Sequence, residues 1–322
     1  MARFYLALLI LINSLYSYSD AYSDTELDSL WASIADINNP VLSDYRMIEN
    51  YLRTGRRAYL DDLDSLVADR QKLSFIRNLA LIGLENEMPI FENHSVNVTD
   101  ETKDRCILLY GSFNRIYPQK ARTILEEIKQ SGYSGHVLLR IGGFPNTPNG
   151  GLRLCHIPYA FKVAFLQEAR LLGYKELLWL DTSMHPLTNL EVVFSQIKKR
   201  GYFLTYVATL RQTESSHLPA AAKSLGISNE HYDKIHHLSS ALIGLNMNHP
   251  KASDFLSTWY AETERVYPNI SGCPEELCFS VTAWRSKLKP LSWFGTYVCA
   301  PTELPSIREF RPMLQFYLDG VR

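Results

Sequence analysis

From residue 105 onward the chain alternates short apolar runs with amphipathic stretches. Cys106 to Tyr110 is a continuous apolar run stopped by Gly111. His136 to Ile141 is a second, stopped by Gly142-Gly143, and Glu176 to Leu180 is a third. Runs of this length, bounded by turn residues, predict strands buried on both faces. Between them, Ala121, Ile124, Leu125 and Ile128 recur at helical spacing within 118–130. A further helix is predicted over 158–172, ended by Gly173, and another over 189–200, ended by Gly201. Tyr202 to Tyr206 starts a fourth strand. Strands alternating with helices predict an α/β domain, with a mainly parallel sheet and helices on both faces.

The first hundred residues have a different texture. Phe4 to Ile12 is an unbroken apolar run after Arg3, and Ala21-Tyr22-Ser23 fits a small-x-small cleavage site. Residues 1–23 therefore read as a secretory signal peptide, or as a short uncleaved anchor. The run falls well short of the ~20 apolar residues a spanning helix needs, and no later stretch reaches that length. Over 24–90, Leu27, Leu30, Trp31, Ile34 and Ile37 set a helical period that later segments continue. Residues 91–104 are polar and read as a linker or exposed loop. The expected organisation is thus 1–23 signal, 24–104 helical region and linker, and 105–322 α/β domain.

Composition narrows the function. Hydrophobic residues are 46% and charged residues 21% of the 322, which excludes a disordered chain and a disulfide-dense mini-protein. Lys plus Arg (33) nearly balances Asp plus Glu (34), so no basic excess suggests nucleic acid. The odd count of five cysteines, Cys106, Cys155, Cys273, Cys278 and Cys299, leaves at least one unpaired within the chain. Cys273 and Cys278 flank a segment short enough to close a loop, whereas Cys106 opens an apolar strand as buried free thiols often do. No cysteine or histidine spacing fits zinc; His236-His237 lacks a third ligand. Three sequons begin at Asn93, Asn97 and Asn269.

The chemistry concentrates after the third strand, in Leu178-Trp179-Leu180-Asp181-Thr182-Ser183-Met184-His185-Pro186. Ligands of open α/β sheets sit beyond the carboxyl ends of the strands, where Asp181 falls. An acid there also serves as a turn cap. Ser183, two residues on, faces the same way as Asp181 in an extended segment. Lys162 stands on the preceding helix, either solvated or beside the site. Glu275 and Glu276 open a helical stretch at Pro274. They either complement the helix dipole or act as a general base.

The sequence Pro158-Tyr159-Ala160-Phe161-Lys162, then Leu172-Gly173-Tyr174, then Leu178-Trp179-Leu180-Asp181-Thr182-Ser183 resembles bacterial and viral glycosyltransferases of the GT-A fold. The likeness covers roughly 105–295 and is strongest from 158 to 191. It rests on a helix Lys, a Gly-Tyr helix end and a Trp-Leu-Asp-x-Ser strand end. Downstream, Ser239 to Asn246 is similar to that family's small-residue strand beside the acceptor. Pro274 to Trp284 is similar to its acidic acceptor-side helix, with Glu275 and Glu276 at the Asp-Gln positions. The resemblance implies a Rossmann-like GT-A domain that moves a sugar from a nucleotide-sugar donor to a glycan, lipid or protein hydroxyl. It implies that Asp181 and Ser183 hold the diphosphate and a Mn²⁺ or Mg²⁺ ion, with Asp181 as metal ligand. Lys162 would offset phosphate charge, and Glu275 or Glu276 would serve the acceptor.

Ser183 departs from the family's Asp-x-Asp, which leaves metal-free use of Lys162 open and motivates an alternative: an inactive GT-A-like protein that binds sugar or a partner. Tyr110 and Ser112 follow the first strand, where the resemblance places the nucleotide base; a plain turn is the other reading. Arg140, at the end of the second strand, is either a phosphate contact or a surface residue. His185, after the Asp-x-Ser segment, is either a plain loop residue or a contact to the diphosphate that the resemblance implies. A phosphohydrolase with Asp181 as nucleophile would want Asp-x-Asp-x-Thr, which this sequence lacks.

Overall fold

The computed structural model describes residues 90–301 apart from 112–116, 143–144, 146–153, 155–156, 158, 187–188, 215–216, 218, 266, 270–273 and 293–298. The stretches read as a signal peptide and a helical region, up to residue 89, lie outside the described residues, as do Ser112, Cys155 and Cys273.

Nine strands and six α-helices are described: β1 (Ile90–Val96), β2 (Arg105–Gly111), α1 (Tyr117–Gln130), β3 (Gly135–Ile141), α2 (Phe161–Leu171), β4 (Glu176–Leu180), β5 (Met184–Pro186), α3 (Glu191–Arg200), β6 (Tyr202–Thr209), α4 (Pro219–Ser224), β7 (His236–Asn246), α5 (Pro250–Glu264), α6 (Pro274–Arg285), β8 (Leu291–Ser292) and β9 (Cys299–Pro301). Seven strands form one open sheet in the order β1-β3-β2-β4-β7-β6-β8, and β5 pairs with β9 in a second.

Period-2 alternation splits the core in two. Ile107 and Leu109 of β2, with Leu178 and Leu180 of β4, pack against α1 and α3 on one face. Cys106, Leu108 and Tyr110, with Leu177 and Trp179, pack against α2, α5 and α6 on the other. On α1 the buried residues are Ala121, Ile124, Leu125 and Ile128, the stripe read from the sequence. On α2 every residue from Lys162 to Ala169 is buried, so this helix is enclosed nearly all round and carries Lys162 inside with it.

The α/β expectation holds, and the open seven-stranded sheet flanked by helices is compatible with a Rossmann-like fold. The sheet is mixed rather than mainly parallel. β3, β2 and β4 are mutually parallel, and β8 is parallel to β6. β7 runs antiparallel between β4 and β6, and β1 antiparallel along β3. From Leu242 to Leu245 β7 is buried on both faces, so its pattern carries no mark of direction. β1 falls within the stretch read as a linker. Its residues alternate between partly covered and exposed along the edge of the sheet, so Asn93, His94 and Ser95 look like loop residues.

α3 ends on Gly201 at φ +86, a left-handed conformation that glycine adopts without strain. Among the described residues no helix is long and apolar enough to cross a membrane. Cys106 and Cys278 are free buried thiols, so Cys278 closes no loop with Cys273.

Candidate functional site

Four elements deliver one polar cluster beyond the carboxyl end of β4. Asp181 is the first residue past the strand, and its N–H still bonds the Ala241 carbonyl of β7. Because β7 is antiparallel, its opening residues, His237 to Ser240, continue past the point where β4 stops. Lys162 stands in the first turn of α2, whose entry residue Tyr159 holds φ +58. Left-handed backbone at an aromatic residue costs on the order of 1–3 kcal/mol. The Tyr159 carbonyl accepts the Lys162 N–H at 3.1 Å, so the strained residue helps anchor the lysine. Glu275 and Glu276 lie in the first turn of α6, where the helix dipole favours acids.

Lys162 Nζ sits at the centre. It lies 2.7 Å from Glu275 Oε1 and 3.2 Å from Asp181 Oδ2. It also donates to Ser240 Oγ at 2.9 Å. With the Ser240 carbonyl oxygen at 3.4 Å, four acceptors surround its three protons, and only 3% of the side chain is exposed. Burial pushes the ammonium pKa down, but the charges of Glu275 and then Asp181 outweigh it and hold it above the usual lysine value. The ammonium is thus paired within the protein.

Ser240 links the halves of the cluster. Its hydroxyl accepts from Lys162 and donates to Glu275 Oε1 at 2.7 Å. Its N–H donates to Glu276 Oε1 at 3.1 Å. Glu276 Oε2 lies 2.9 Å from His237 Nε2, and His237 Nδ1 lies 2.6 Å from Thr213 Oγ1. Burial pushes the Glu276 carboxyl up. The hydrogen bonds from His237 and the Ser240 N–H, with the charge of Lys162, pull further and leave it below the usual value.

Of the residues singled out from the sequence, the structure brings Lys162, Asp181, Glu275 and Glu276 together. Ser183 lies beside them: its N–H donates to Asp181 Oδ1 at 3.1 Å. Tyr110 is buried and stacked on Phe161 with ring centroids 4.5 Å apart. Arg140 pairs with Glu168 of α2 at 2.6 Å, both buried, and its guanidinium lies over the Phe91 ring. Six residues of helix, about 9 Å of rise, separate Glu168 from Lys162, so Arg140 does not join the cluster. Its nearest charge is internal, as for Lys162. His185 pairs with Glu127 of α1 at 2.6 Å.

The donor set fits a metal ion poorly by itself. Asp181 spends Oδ1 on the Ser183 N–H and Oδ2 on Lys162. Among the described residues no three His, Cys, Asp or Glu side chains are arranged to hold a metal.

Sequence reasoning missed Ser240, His237 and Thr213 as members of the site. Ser240 was visible as a small residue in an apolar strand. His237 and Ser240 are three apart, and a regular strand sends such residues to opposite faces. Yet both reach Glu276, His237 by its side chain and Ser240 by both its N–H and its hydroxyl. Register shifts between β6 and β7 beside them break the pattern.

No protein-family model matches the chain, and no curated protein matches it. The geometry therefore carries the functional argument.

Proposed function

We propose that the chain is a GT-A-type glycosyltransferase, moving a sugar from a nucleotide-sugar donor to a hydroxyl acceptor. The observation that carries the reading is the convergence of Lys162, Asp181, Ser240 and Glu275 beyond the carboxyl end of β4, a strand parallel to β2 and antiparallel to β7. Open α/β sheets bind ligands at that place.

In this reading Lys162 is a positioning residue. It fixes Asp181 and Glu275 in one geometry and leaves phosphate charge to other groups. Asp181 and Ser183 face the donor. A divalent ion, Mn²⁺ or Mg²⁺, would take few ligands from the protein and most from the diphosphate oxygens. Glu275 is the candidate general base: Oε1 takes Lys162 and Ser240, and no described residue hydrogen-bonds Oε2. An acceptor hydroxyl delivered to Oε2 would lose its proton there as it attacks the sugar carbon. Glu276 is the weaker candidate, because both its oxygens are engaged.

The internal pairing of Lys162 also favours a second reading, an inactive relative that binds sugar or a partner. Thermal stabilisation by UDP, GDP, CMP and dTDP nucleotides, with and without Mn²⁺, separates the two. A ligand at 100 times its Kd adds about 2.7 kcal/mol. The expected result is stabilisation by one base, absent in Asp181→Ala. No stabilisation of the folded chain by any nucleotide overturns the transferase reading.

A further inference from the structure

The three sequons, at Asn93, Asn97 and Asn269, look alike in the sequence, and the fold gives each asparagine a different setting. Asn269 is 1% exposed, and its Nδ2 donates to the Thr263 carbonyl at 3.5 Å. An oligosaccharide on that atom would carry its hydroxyls into the core without partners, so a chain bearing one could not reach this fold. Asn93 is exposed but lies within β1, opposite Leu138 of β3. Its amide is held at both ends. Nδ2 donates to the Tyr174 hydroxyl at 2.8 Å, and Oδ1 lies 3.1 Å from His136 Nδ1.

Asn97 stands just past the end of β1. It holds φ +46, a left-handed turn that asparagine tolerates better than most residues. Asn97, Val98, Thr99 and Asp100 are all exposed. One of the two Nδ2 hydrogens goes to the Tyr133 carbonyl at 3.3 Å, and no described residue accepts the other. Other groups hold the turn as well. Ser134 Oγ donates to the Asn97 carbonyl at 2.6 Å, and the Thr99 N–H donates to Thr102 Oγ1 at 3.0 Å. The amide can therefore be substituted once without loss of what fixes the backbone.

The position also keeps clear of the polar cluster. Val96 pairs with Gly135, the first residue of β3, which is parallel to β2, as β2 is to β4. Asn97 thus lies off the amino-terminal rim of the sheet, while Asp181 follows the carboxyl end of β4. A five-residue strand such as β4 spans about 17 Å. A bulky group rooted at Asn97 starts from the far end of the sheet.

We propose that Asn97 is the acceptor of an N-linked oligosaccharide and that Asn269 is not. Asn-x-Thr is the sequence that a luminal oligosaccharide-transferring enzyme reads. The donor is an oligosaccharide carried on a lipid diphosphate. The bond from sugar C1 to the diphosphate oxygen breaks as the bond from C1 to Asn97 Nδ2 forms. The lipid diphosphate leaves with the electron pair, and one Nδ2 proton passes to a base of that enzyme. The remaining N–H keeps the Tyr133 carbonyl. Modification needs residues 1–23 to carry the chain into a secretory lumen, as their sequence implies. It is independent of any activity of the chain itself.

The test is expression of the full chain, with its own residues 1–23, in cultured mammalian cells. Glycans are released with a peptide-N-glycosidase in ¹⁸O water, and the peptides are read by mass spectrometry. Conversion of Asn97 to ¹⁸O-labelled aspartate is expected, with Asn269 unconverted. Thr99→Ala ends the sequon but keeps the Asn97 amide, and should abolish the conversion; Thr99→Ser should keep it. An unconverted Asn97 overturns the proposal. Conversion that survives Thr99→Ala is plain deamidation and overturns it as well, as does conversion of Asn269 in secreted protein. A second chain, with a proven cleaved leader in place of residues 1–23, tells which premise failed. Conversion of Asn97 only there faults the leader; a bare Asn97 even there faults the site. Nucleotide stabilisation, measured on its own, bears on the transferase reading alone.

Discussion

Lys162 shows why a side chain's role cannot be inferred from its charge alone. A buried ammonium is tolerated when paired and hydrogen-bonded on all sides, and removing one member of such a set costs about 3–5 kcal/mol. Lys162→Ala leaves Asp181 and Glu275 facing each other across a vacancy. We expect a loss of that size in urea unfolding. Relative to Lys162→Ala, the double variant Lys162→Met with Asp181→Asn should recover part of it, since fewer like charges remain together. The sequence placed Lys162 near Asp181 through the likeness of the surrounding motif. It gave no hint that the lysine points inward, because the depth of burial depends on α5 and α6, which arrive from distant sequence.

At the scale of elements, most of the sheet was legible. Apolar runs ended by glycine became β2 and β3, the run ended by Asp181 became β4, and Gly201 closed α3 as its position implied. A Cβ on Gly201 would overlap the His249 ring and demand a left-handed alanine. Gly201→Ala is expected to lower stability by about 2 kcal/mol, read from the urea midpoint at unchanged slope. Two features were not legible. The direction of β7 is hidden because its apolar part, Leu242 to Leu245, is buried on both faces. The strand character of β1 is hidden because an edge strand with one solvated face needs few apolar residues. The site suffered for the same reason: Ser240 and His237 lie on the strand whose direction and register the pattern could not give.

For the whole molecule, acid is the informative variable. Burial, then the neighbouring His237, lowers the His217 pKa in the folded protein, so the unfolded chain takes up protons that the folded one refuses. The stabilisation is complete above the ordinary histidine value of 6.5 and is lost as pH falls toward about 4. Glu276, also lowered, adds stability that is present above its ordinary value of 4.5 and disappears below it. The melting temperature should fall from pH 6.5 to 4.5 and fall more steeply below that. The first part is expected to amount to on the order of 1–2 kcal/mol, less than a sealed histidine would give because the ring borders an open cleft. His217→Phe should flatten the upper part of the profile and leave the lower part in place. A flat profile between 6.5 and 4.5 in the parent chain would show that His217 titrates normally.

The reversed strand also sets a schedule. β7 occupies a central place in the sheet, yet it is made after β2, β3, β4 and β6, and Glu275 follows about a hundred residues behind Lys162. At roughly 5–20 residues per second, a nascent chain waits on the order of 10 s between the lysine and its partner on α6, although Asp181 follows it much sooner. During that interval the ammonium has no carboxylate from α6, and the strand that will carry Ser240 has not yet entered between its neighbours. The cluster therefore assembles late and all at once, and a truncated chain ending before β7 would keep Asp181 in its sequence while lacking every group from β7 and α6 that holds it in place.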